Sequence, residues 1–120
     1  MTDHVACIIP AYRAAVSLPR VVAGLRAALP TARVIVVDDG SPDETGSVAV
    51  QLADWTIRLG GNRGKGAALR AGFEEVVRSG SEIVLTIDAG GQHDPTYAPA
   101  LIDALEECDL VIGERVRPGS

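Results

Sequence analysis

Short runs of apolar, mostly β-branched residues alternate along this chain with longer stretches of mixed apolar and polar residues. The short runs predict five strands, at residues 5–9, 34–37, 55–59, 82–87 and 110–112. Pro10 is predicted to end the first of these strands. The second run is apolar throughout, which is typical of a parallel strand that is covered on both faces.

The stretches that follow the first two strands predict helices. One helix is expected from about Ser17, with Pro19 in its first turn. A capping box at residues 41–44 predicts the start of the next helix, with Pro42 at the first helical position and an end near Ala53. Each helix would therefore lie between two strands and cover a face of the sheet.

Two further helices are predicted at residues 67–78 and 96–107, and Gly80 is suited to cap the end of the first of these. Strands and helices thus alternate along the chain without an internal repeat or a linker. This order predicts a single α/β domain over residues 1–120, built on a doubly wound parallel sheet.

The polar and glycine-rich clusters of the chain fall directly after predicted strands. In a doubly wound sheet, the loops that leave the carboxyl ends of the strands meet at one edge and line the ligand crevice. The clusters in these loops cover residues 10–12, 38–41, 60–66 and 88–95. We therefore expect one ligand site at the carboxyl edge of the sheet.

The charge balance restricts the partners of the chain. Eleven lysines and arginines against 16 aspartates and glutamates give a net charge of −5, and no run of basic residues is present. This composition argues against nucleic acid as a partner. A net-negative protein that binds a diphosphate needs a local cation, from lysine, arginine or a metal ion, to offset the repulsion between like charges.

Cysteine usage and the N-terminal sequence predict the cellular compartment. Cys7 lies in an apolar run and Cys108 near a predicted helix end, and two isolated cysteines favour reduced core residues over a disulfide framework or a zinc site. The N-terminus lacks the pattern of a signal peptide, and the chain has no apolar run long enough to span a bilayer. We predict a cytoplasmic protein, with peripheral association at the membrane surface left open.

The loop at residues 60–66 is rich in glycine but matches neither common phosphate-binding motif. Gly66 follows Lys65 where a P-loop has serine or threonine, and Leu69 stands where a dinucleotide fingerprint has its third glycine. Backbone N–H groups at the following helix start, together with Arg63 and Lys65, are suited to bind an anion. A solvated turn is the alternative interpretation.

Residues 88–95 read Asp-Ala-Gly-Gly-Gln-His-Asp-Pro, and residues 36–41 read Val-Val-Asp-Asp-Gly-Ser. Together these segments resemble the family 2 glycosyltransferases, in particular the polyprenyl-phosphate sugar transferases, and the resemblance extends over residues 8–115. It implies the parallel-sheet, Rossmann-like nucleotide-binding half of a GT-A glycosyltransferase domain. It also implies inverting transfer of a sugar from a nucleotide diphosphate sugar to a polyprenyl phosphate or a sugar acceptor.

The same resemblance implies a set of residues that contact the nucleotide sugar. In the family, the aspartate at the position of Asp39 contacts the base or the ribose, and a simple strand-to-helix turn is the alternative role for that residue. Tyr12 lies on a crevice loop and is suited to flank a base, whereas Trp55 and Phe73 are predicted to lie in the core. The implied contact residues are Pro10, Ala11, Tyr12, Asp39, Gly64, Lys65, Asp88 and Ala89.

A divalent metal, Mg²⁺ or Mn²⁺, is implied at Asp88 and Gln92. Gly90 stands where related sequences carry a second aspartate, and its lack of a side-chain oxygen predicts a weakened metal site. His93 and Asp94 are interpreted as loop residues that introduce the next helix, and a role as further metal ligands is the alternative.

Three departures from the family pattern leave the activity open. The first is Gly90, and the second is the pair Arg13-Ala14, which replaces the Asn-Glu pair that usually follows the tyrosine. The third is that the acceptor side and the catalytic base of the family are not identified within the chain. One hypothesis is a glycosyltransferase or its donor-binding half, completed by a partner chain or by self-association. The alternative is a non-catalytic nucleotide-binding module derived from the same family. We expect the isolated chain to be inactive in transfer.

Overall fold

The computed structural model describes residues 5–81, 83–87 and 89, and the backbone of residues 110–112. All five predicted strands are present, and the helix predicted at residues 96–107 lies outside the described residues. The elements in chain order are β1 (Val5–Ala11), α1 (Leu18–Ala28), β2 (Arg33–Asp38), α2 (Thr45–Leu52), β3 (Trp55–Arg58), α3 (Lys65–Ser79), β4 (Ile83–Thr86) and β5 (Leu110–Ile112).

The strands form one sheet in the order β3-β2-β1-β4-β5, and every pairing is parallel. From β1 the chain steps outward to β2 and β3, and it then returns to the other side of β1 to form β4. The direction of winding therefore reverses between β1 and β4, which is where ligands bind in open parallel sheets. This topology confirms the predicted fold class.

Both faces of the sheet are buried, each in its own apolar cluster. Cys7 and Ile9 of β1 pack into a cluster with α1 and α2, whereas Ala6 and Ile8 pack into a second cluster with α3. The alternation follows from the two-residue period of a strand. Burial raises the pKa of the Cys7 thiol to about 12, so this cysteine stays protonated near neutral pH and serves as a core residue.

Strand β1 continues through Pro10 to Ala11, and the prediction that Pro10 ends the strand was wrong. The carbonyl of Ile8 accepts a hydrogen bond from the N–H of Ile87, so alternate residues of β1 direct their backbone groups toward β4. Pro10 faces the same side, beyond the last registered pair between β1 and β4. Its missing N–H therefore removes no bond from the ladder, and β1 continues to pair with β2.

Helix α2 begins at Thr45, three residues after the position predicted from the capping box. Ser41 does not cap the helix, because its Oγ accepts a hydrogen bond from the backbone N–H of Arg13 at 3.0 Å. Asp43 Oδ1 instead accepts hydrogen bonds from the N–H and the hydroxyl of Thr45, at 3.0 and 2.5 Å. This local turn competes with the helix and delays its start.

Helix α3 lies close against β1 and ends as predicted, at Gly80 in the left-handed conformation. A Cβ at Gly72 would stand 2.6 Å from Cγ2 of Ile8, so only glycine allows this distance between helix and strand. The close packing holds the start of α3 beside the end of β1, where two of the predicted ligand loops lie.

Trp55 lies at the sheet edge with 43% of its surface exposed, so the prediction of a core position was wrong. The reason is the strand order, which places β3 at the edge of the sheet. The guanidinium groups of Arg33 and Arg78 each lie 5.6 Å from its ring centroid, and both donate to the buried carboxylate of Glu75 at 2.7 Å. Phe73 is partly buried and packs against the second cluster, so its predicted core position is confirmed only in part.

Candidate functional site

A cavity of about 230 Å³ opens at the carboxyl edge of the sheet. It is lined by Pro10, Ala11, Tyr12, Asp39, Lys65 and Ala68. The first five are residues that the sequence predicted to contact a nucleotide sugar, and they come from three separate parts of the chain: the end of β1 with Tyr12, the loop after β2, and the start of α3. Ala68 was missed, although its position one helical turn after Lys65 was a usable signal.

Asp39 connects two of these loops through its carboxylate. It is 5% exposed, its Oδ1 accepts a hydrogen bond from the N–H of Arg63 at 2.8 Å, and its Oδ2 accepts one from Gly64 at 2.9 Å. These partners lie in the loop before α3, so Asp39 does not serve the local turn. Each carboxylate oxygen has more than one lone pair, so Asp39 is able to accept a further donor from the cavity.

Asp38 carries out the local role that a strand-to-helix turn requires. Its Oδ1 accepts a hydrogen bond from the N–H of Ser41 at 3.0 Å, and the residue is fully buried. Its Oδ2 lies 3.4 Å from Nε of Arg58, which supplies the compensating charge from strand β3. The two adjacent aspartates therefore have different roles, because Asp38 stabilises the turn and Asp39 lines the cavity.

Gly40 allows the loop after β2 to contact the loop before α3, backbone against backbone. Its φ is +72°, and an added Cβ would stand 2.4 Å from the carbonyl carbon of Gly61 and 2.7 Å from the nitrogen of Asn62. A side chain at this position would push the two loops apart. Gly40 and Asp39 together set the distance between these loops at the cavity.

Tyr12 forms the exposed wall of the cavity, with 41% of its surface accessible. Hydrogen bonds from Arg13, and secondly from Asn62, lower the pKa of its hydroxyl group. The guanidinium carbon of Arg13 lies 5.5 Å from the ring centroid. The aromatic ring therefore lies just after the end of β1, beside the guanidinium group of Arg13.

The loop after β4 is connected to the start of α1. Ser17 precedes that helix, and its Oγ donates a hydrogen bond to the carbonyl of Ala89 at 2.6 Å. Ala89 is buried and is not among the residues that line the cavity. Its predicted contact with a nucleotide, like that of Gly64, stays a prediction.

The predicted metal ligands Asp88 and Gln92 lie outside the described residues. Within the described part of the chain, no group of three histidines, cysteines, aspartates or glutamates is placed to hold a metal ion. The cavity residues described above therefore do not form a metal site by themselves, and none of the contacts described here depends on one. No helix in this part of the chain is long and apolar enough to cross a membrane.

A larger open groove, of about 610 Å³, runs along the outer side of α3. It is lined by Gly66, Leu69, Arg70, Phe73, Glu74 and Val77. All of these residues belong to one helix, and none lies in the loops that meet at the carboxyl edge. We therefore assign the candidate site to the smaller cavity, where three separate segments of the chain contribute polar groups.

Comparison with known sequences agrees with the motifs at the carboxyl edge. The family model described as glycosyl transferase family 2 matches residues 6–120. A polyprenol monophosphomannose synthase from Mycolicibacterium smegmatis is 38% identical over 125 residues, which cover 98% of this chain and 47% of that protein. An undecaprenyl-phosphate mannosyltransferase from Micrococcus luteus is 40% identical over 121 residues, which cover 97% of this chain and 50% of that protein.

Comparison with solved structures supports the fold independently. A glucosyl-3-phosphoglycerate synthase from Mycobacterium tuberculosis, solved in complex with Mn²⁺, uridine diphosphate and glucosyl-3-phosphoglycerate, matches with a TM-score of 0.66 and 22% identity. The match covers 84% of this chain and 39% of that one. Such neighbours are GT-A glycosyltransferases, and the match supports this fold for the chain.

The chain thus spans about half the length of the two relatives described here. Its family match covers nearly every residue, and the predicted motifs at residues 10–12 and 38–41, which the structure describes, lie at the carboxyl ends of β1 and β2. The chain belongs to glycosyl transferase family 2.

Proposed function

We propose that this chain binds a nucleotide diphosphate sugar in the cavity at the carboxyl edge of its sheet. In this proposal it forms the donor-binding half of a glycosyltransferase that transfers the sugar to a polyprenyl phosphate or a sugar acceptor. The observation that carries the proposal is that the end of β1, the loop after β2 and the start of α3 converge on one cavity, with Tyr12, Asp39 and Lys65 on its walls. The relatives named as mannosyl-transferring enzymes support the polyprenyl phosphate as the acceptor.

Each cavity residue is suited to a different part of the donor. The ring of Tyr12 offers a flat surface for a base. Asp39, held by two backbone N–H groups, accepts hydrogen bonds from an imide N–H or from ribose hydroxyls. Lys65 stands at the start of α3, where its charge adds to that of the helix N-terminus in favour of the diphosphate.

We also propose a divalent cation, Mg²⁺ or Mn²⁺, at Asp88 and Gln92. The Mn²⁺ in the solved structure of a GT-A neighbour supports this choice of ion. Such an ion would stabilise the negative charge of the departing diphosphate. Because Gly90 offers no side-chain oxygen, we expect the site to be weak. An acceptor in the membrane would bring a cytoplasmic protein of this kind to the membrane surface.

The second candidate function is a nucleotide-binding module without transferase activity. Gly90, which replaces an acidic residue of related sequences, favours this alternative. Both functions include binding of the donor. They differ in that only the transferase forms a product when an acceptor is added.

Titration calorimetry with uridine and guanosine diphosphates, with and without Mn²⁺, tests the donor site. We expect saturable binding of at least one of the two nucleotides to the folded chain. As a control for net charge, Glu44→Gln changes an exposed carboxylate that does not line the cavity. The proposal would be wrong if a folded chain showed no heat of binding with either nucleotide at millimolar concentration.

A further inference from the structure

Arg13 has an unusual backbone conformation beside the candidate site. Its φ is +53°, and among the described residues no other non-glycine residue has a positive φ. Two hydroxyl groups hold this segment. In the loop after β2, Ser41 Oγ accepts a hydrogen bond from the N–H of Arg13, and at the start of α2, Thr45 Oγ1 accepts one from the N–H of Ala14. A bulky residue stays in this conformation only where its surroundings enforce it, and such residues cluster at functional sites.

The enforced backbone places the side chain of Arg13 beside the cavity. The side chain is exposed, and its guanidinium lies 5.5 Å from the ring centroid of Tyr12, which forms a cavity wall. The influence of Arg13 also lowers the pKa of the Tyr12 hydroxyl group. A guanidinium has five N–H donors, so Arg13 is able to bind an acceptor while it stays beside the ring of Tyr12.

The charge of the chain makes a cation at this position useful. The net charge is −5, and Asp39 adds a carboxylate to the cavity wall itself. Lys65 lines one side of the cavity. Arg13 follows the last residue of β1 by two positions, near the point where the direction of winding reverses between β1 and β4. The planar fork of a guanidinium matches two phosphate oxygens at once, which an ammonium group does not.

We infer that Arg13 binds the diphosphate of the nucleotide sugar and is a specificity-determining residue of the donor site. The inference rests on the proposed function and deepens it. A purely structural role, in which Arg13 only holds the ring of Tyr12, predicts a different pattern of binding. In that case the loss of Arg13 would weaken binding of the nucleoside as much as binding of the diphosphate.

The variant Arg13→Asn separates these roles without an unfavourable backbone change, because asparagine tolerates positive φ better than most residues. Arg13→Gly is a second variant for which this backbone costs nothing. Arg13→Lys keeps the charge and removes the fork. Arg70→Gln is the matched control, since it removes one positive charge from an exposed position outside the cavity.

The experiment measures binding of uridine, uridine monophosphate and uridine diphosphate, and of the guanosine series, to the wild type and these variants. We expect Arg13→Asn and Arg13→Gly to weaken binding of the diphosphate by roughly tenfold or more. We expect them to leave nucleoside binding nearly unchanged. Arg13→Lys should fall between them and the wild type, and Arg70→Gln should match the wild type.

The outcomes distinguish this inference from the function on which it rests. If the wild type binds neither nucleotide series, the donor site itself is wrong and the inference fails with it. If the wild type prefers diphosphates and the folded Arg13 variants keep that preference, the donor site stands and the role of Arg13 is wrong. Equal losses of affinity for the nucleoside and for the diphosphate would likewise contradict the inference, since they would mean that Arg13 only positions the ring of Tyr12.

Discussion

At the scale of single residues, Asp39 both holds a neighbouring loop through its carboxylate and lines the cavity. Its two oxygens accept the backbone N–H groups of Arg63 and Gly64, and the same residue lines the cavity. The sequence motif indicated a polar residue at this position, but it gave no sign of these two partners. Any substitution of Asp39 must therefore be measured for stability as well as for binding.

Asp39→Ala should weaken binding of the nucleoside diphosphate by about 1–3 kcal/mol, because a donor on the base or ribose loses its acceptor. It should also lower the free energy of unfolding, since two N–H groups in the loop before α3 lose their partners. Calorimetry and urea unfolding measure the two effects separately, with Glu44→Gln as the control. Unchanged affinity in a folded Asp39→Ala protein would remove Asp39 from the donor site.

The ion cluster around Glu75 predicts a pH dependence of stability. Hydrogen bonds from Arg33 and then from Arg78 lower the pKa of Glu75 below its ordinary value of 4.5. A carboxyl group with a lowered pKa in the folded state stabilises the protein above its ordinary pKa. This contribution is lost as the pH falls through the folded-state pKa.

Glu75→Gln should therefore be less stable than the wild type at neutral pH, and the difference should narrow as the pH falls below about 4.5. Urea unfolding at several pH values between neutral and acid measures this difference. Glu74→Gln, which changes the exposed neighbouring residue on the same helix, is the control. A difference that stayed constant across the pH range would contradict the assigned ion cluster.

At the scale of the elements, the site depends on how closely two loops approach each other. Gly40 meets the backbone of Gly61 and Asn62, and it does so with a positive φ. The sequence marked this position as a turn glycine. Only the packing of the loop after β2 on the loop before α3 explains why no other residue fits.

Gly40→Ala should lower the free energy of unfolding by more than about 1 kcal/mol, because its Cβ meets backbone atoms and its φ is unfavourable. Gly60→Ala is the matched control, since a Cβ there meets no atom within 4 Å and should change stability by less than about 0.5 kcal/mol. Chemical unfolding of both variants tests the contrast. Equal stability of the two variants would mean that the loops separate without cost.

The loop after β4 is predicted to hold the metal, and Gly90 is its departure from related sequences. Gly90→Asp should strengthen nucleotide binding in the presence of Mn²⁺ and leave binding without metal unchanged, because a carboxylate adds an oxygen ligand beside Asp88 and Gln92. Calorimetry in paired buffers, with Mn²⁺ and with a chelator, measures the effect. The same Mn²⁺ dependence in the variant and the wild type would argue against a metal in this loop.

At the scale of the whole molecule, residues 1–120 span about half the length of the polyprenol monophosphomannose synthase and of the undecaprenyl-phosphate mannosyltransferase that they match. Transfer needs a positioned acceptor as well as a bound donor, because the proximity of the two reactants removes much of the entropic barrier. We expect a polypeptide of residues 1–120 to bind the donor without transferring its sugar.

A chromatographic assay with nucleotide sugar, Mn²⁺ and polyprenyl phosphate tests this expectation, with reactions lacking protein or acceptor as controls. Slow hydrolysis of the donor is compatible with it. Acceptor-dependent product above both controls would show that residues 1–120 are sufficient, alone or as an oligomer.

The sequence by itself determined the fold class and the edge of the sheet at which the site lies. The spacing of apolar residues indicates which faces of a strand or a helix are buried. The carboxyl ends of parallel strands lie at one edge of the sheet, whatever the detailed packing of the side chains. Tyr12, Asp39 and Lys65 could therefore be placed together from the sequence alone, and all three line one cavity in the structure.

Only the tertiary structure decided which groups these residues contact. Ser41 resembled a helix cap, yet its hydroxyl accepts from Arg13. Trp55 resembled a core residue, yet β3 lies at the sheet edge. Asp39 binds a loop more than twenty residues away. Local sequence records the propensities of a segment, whereas the partner of a polar group depends on which distant segment the fold brings within hydrogen-bonding distance.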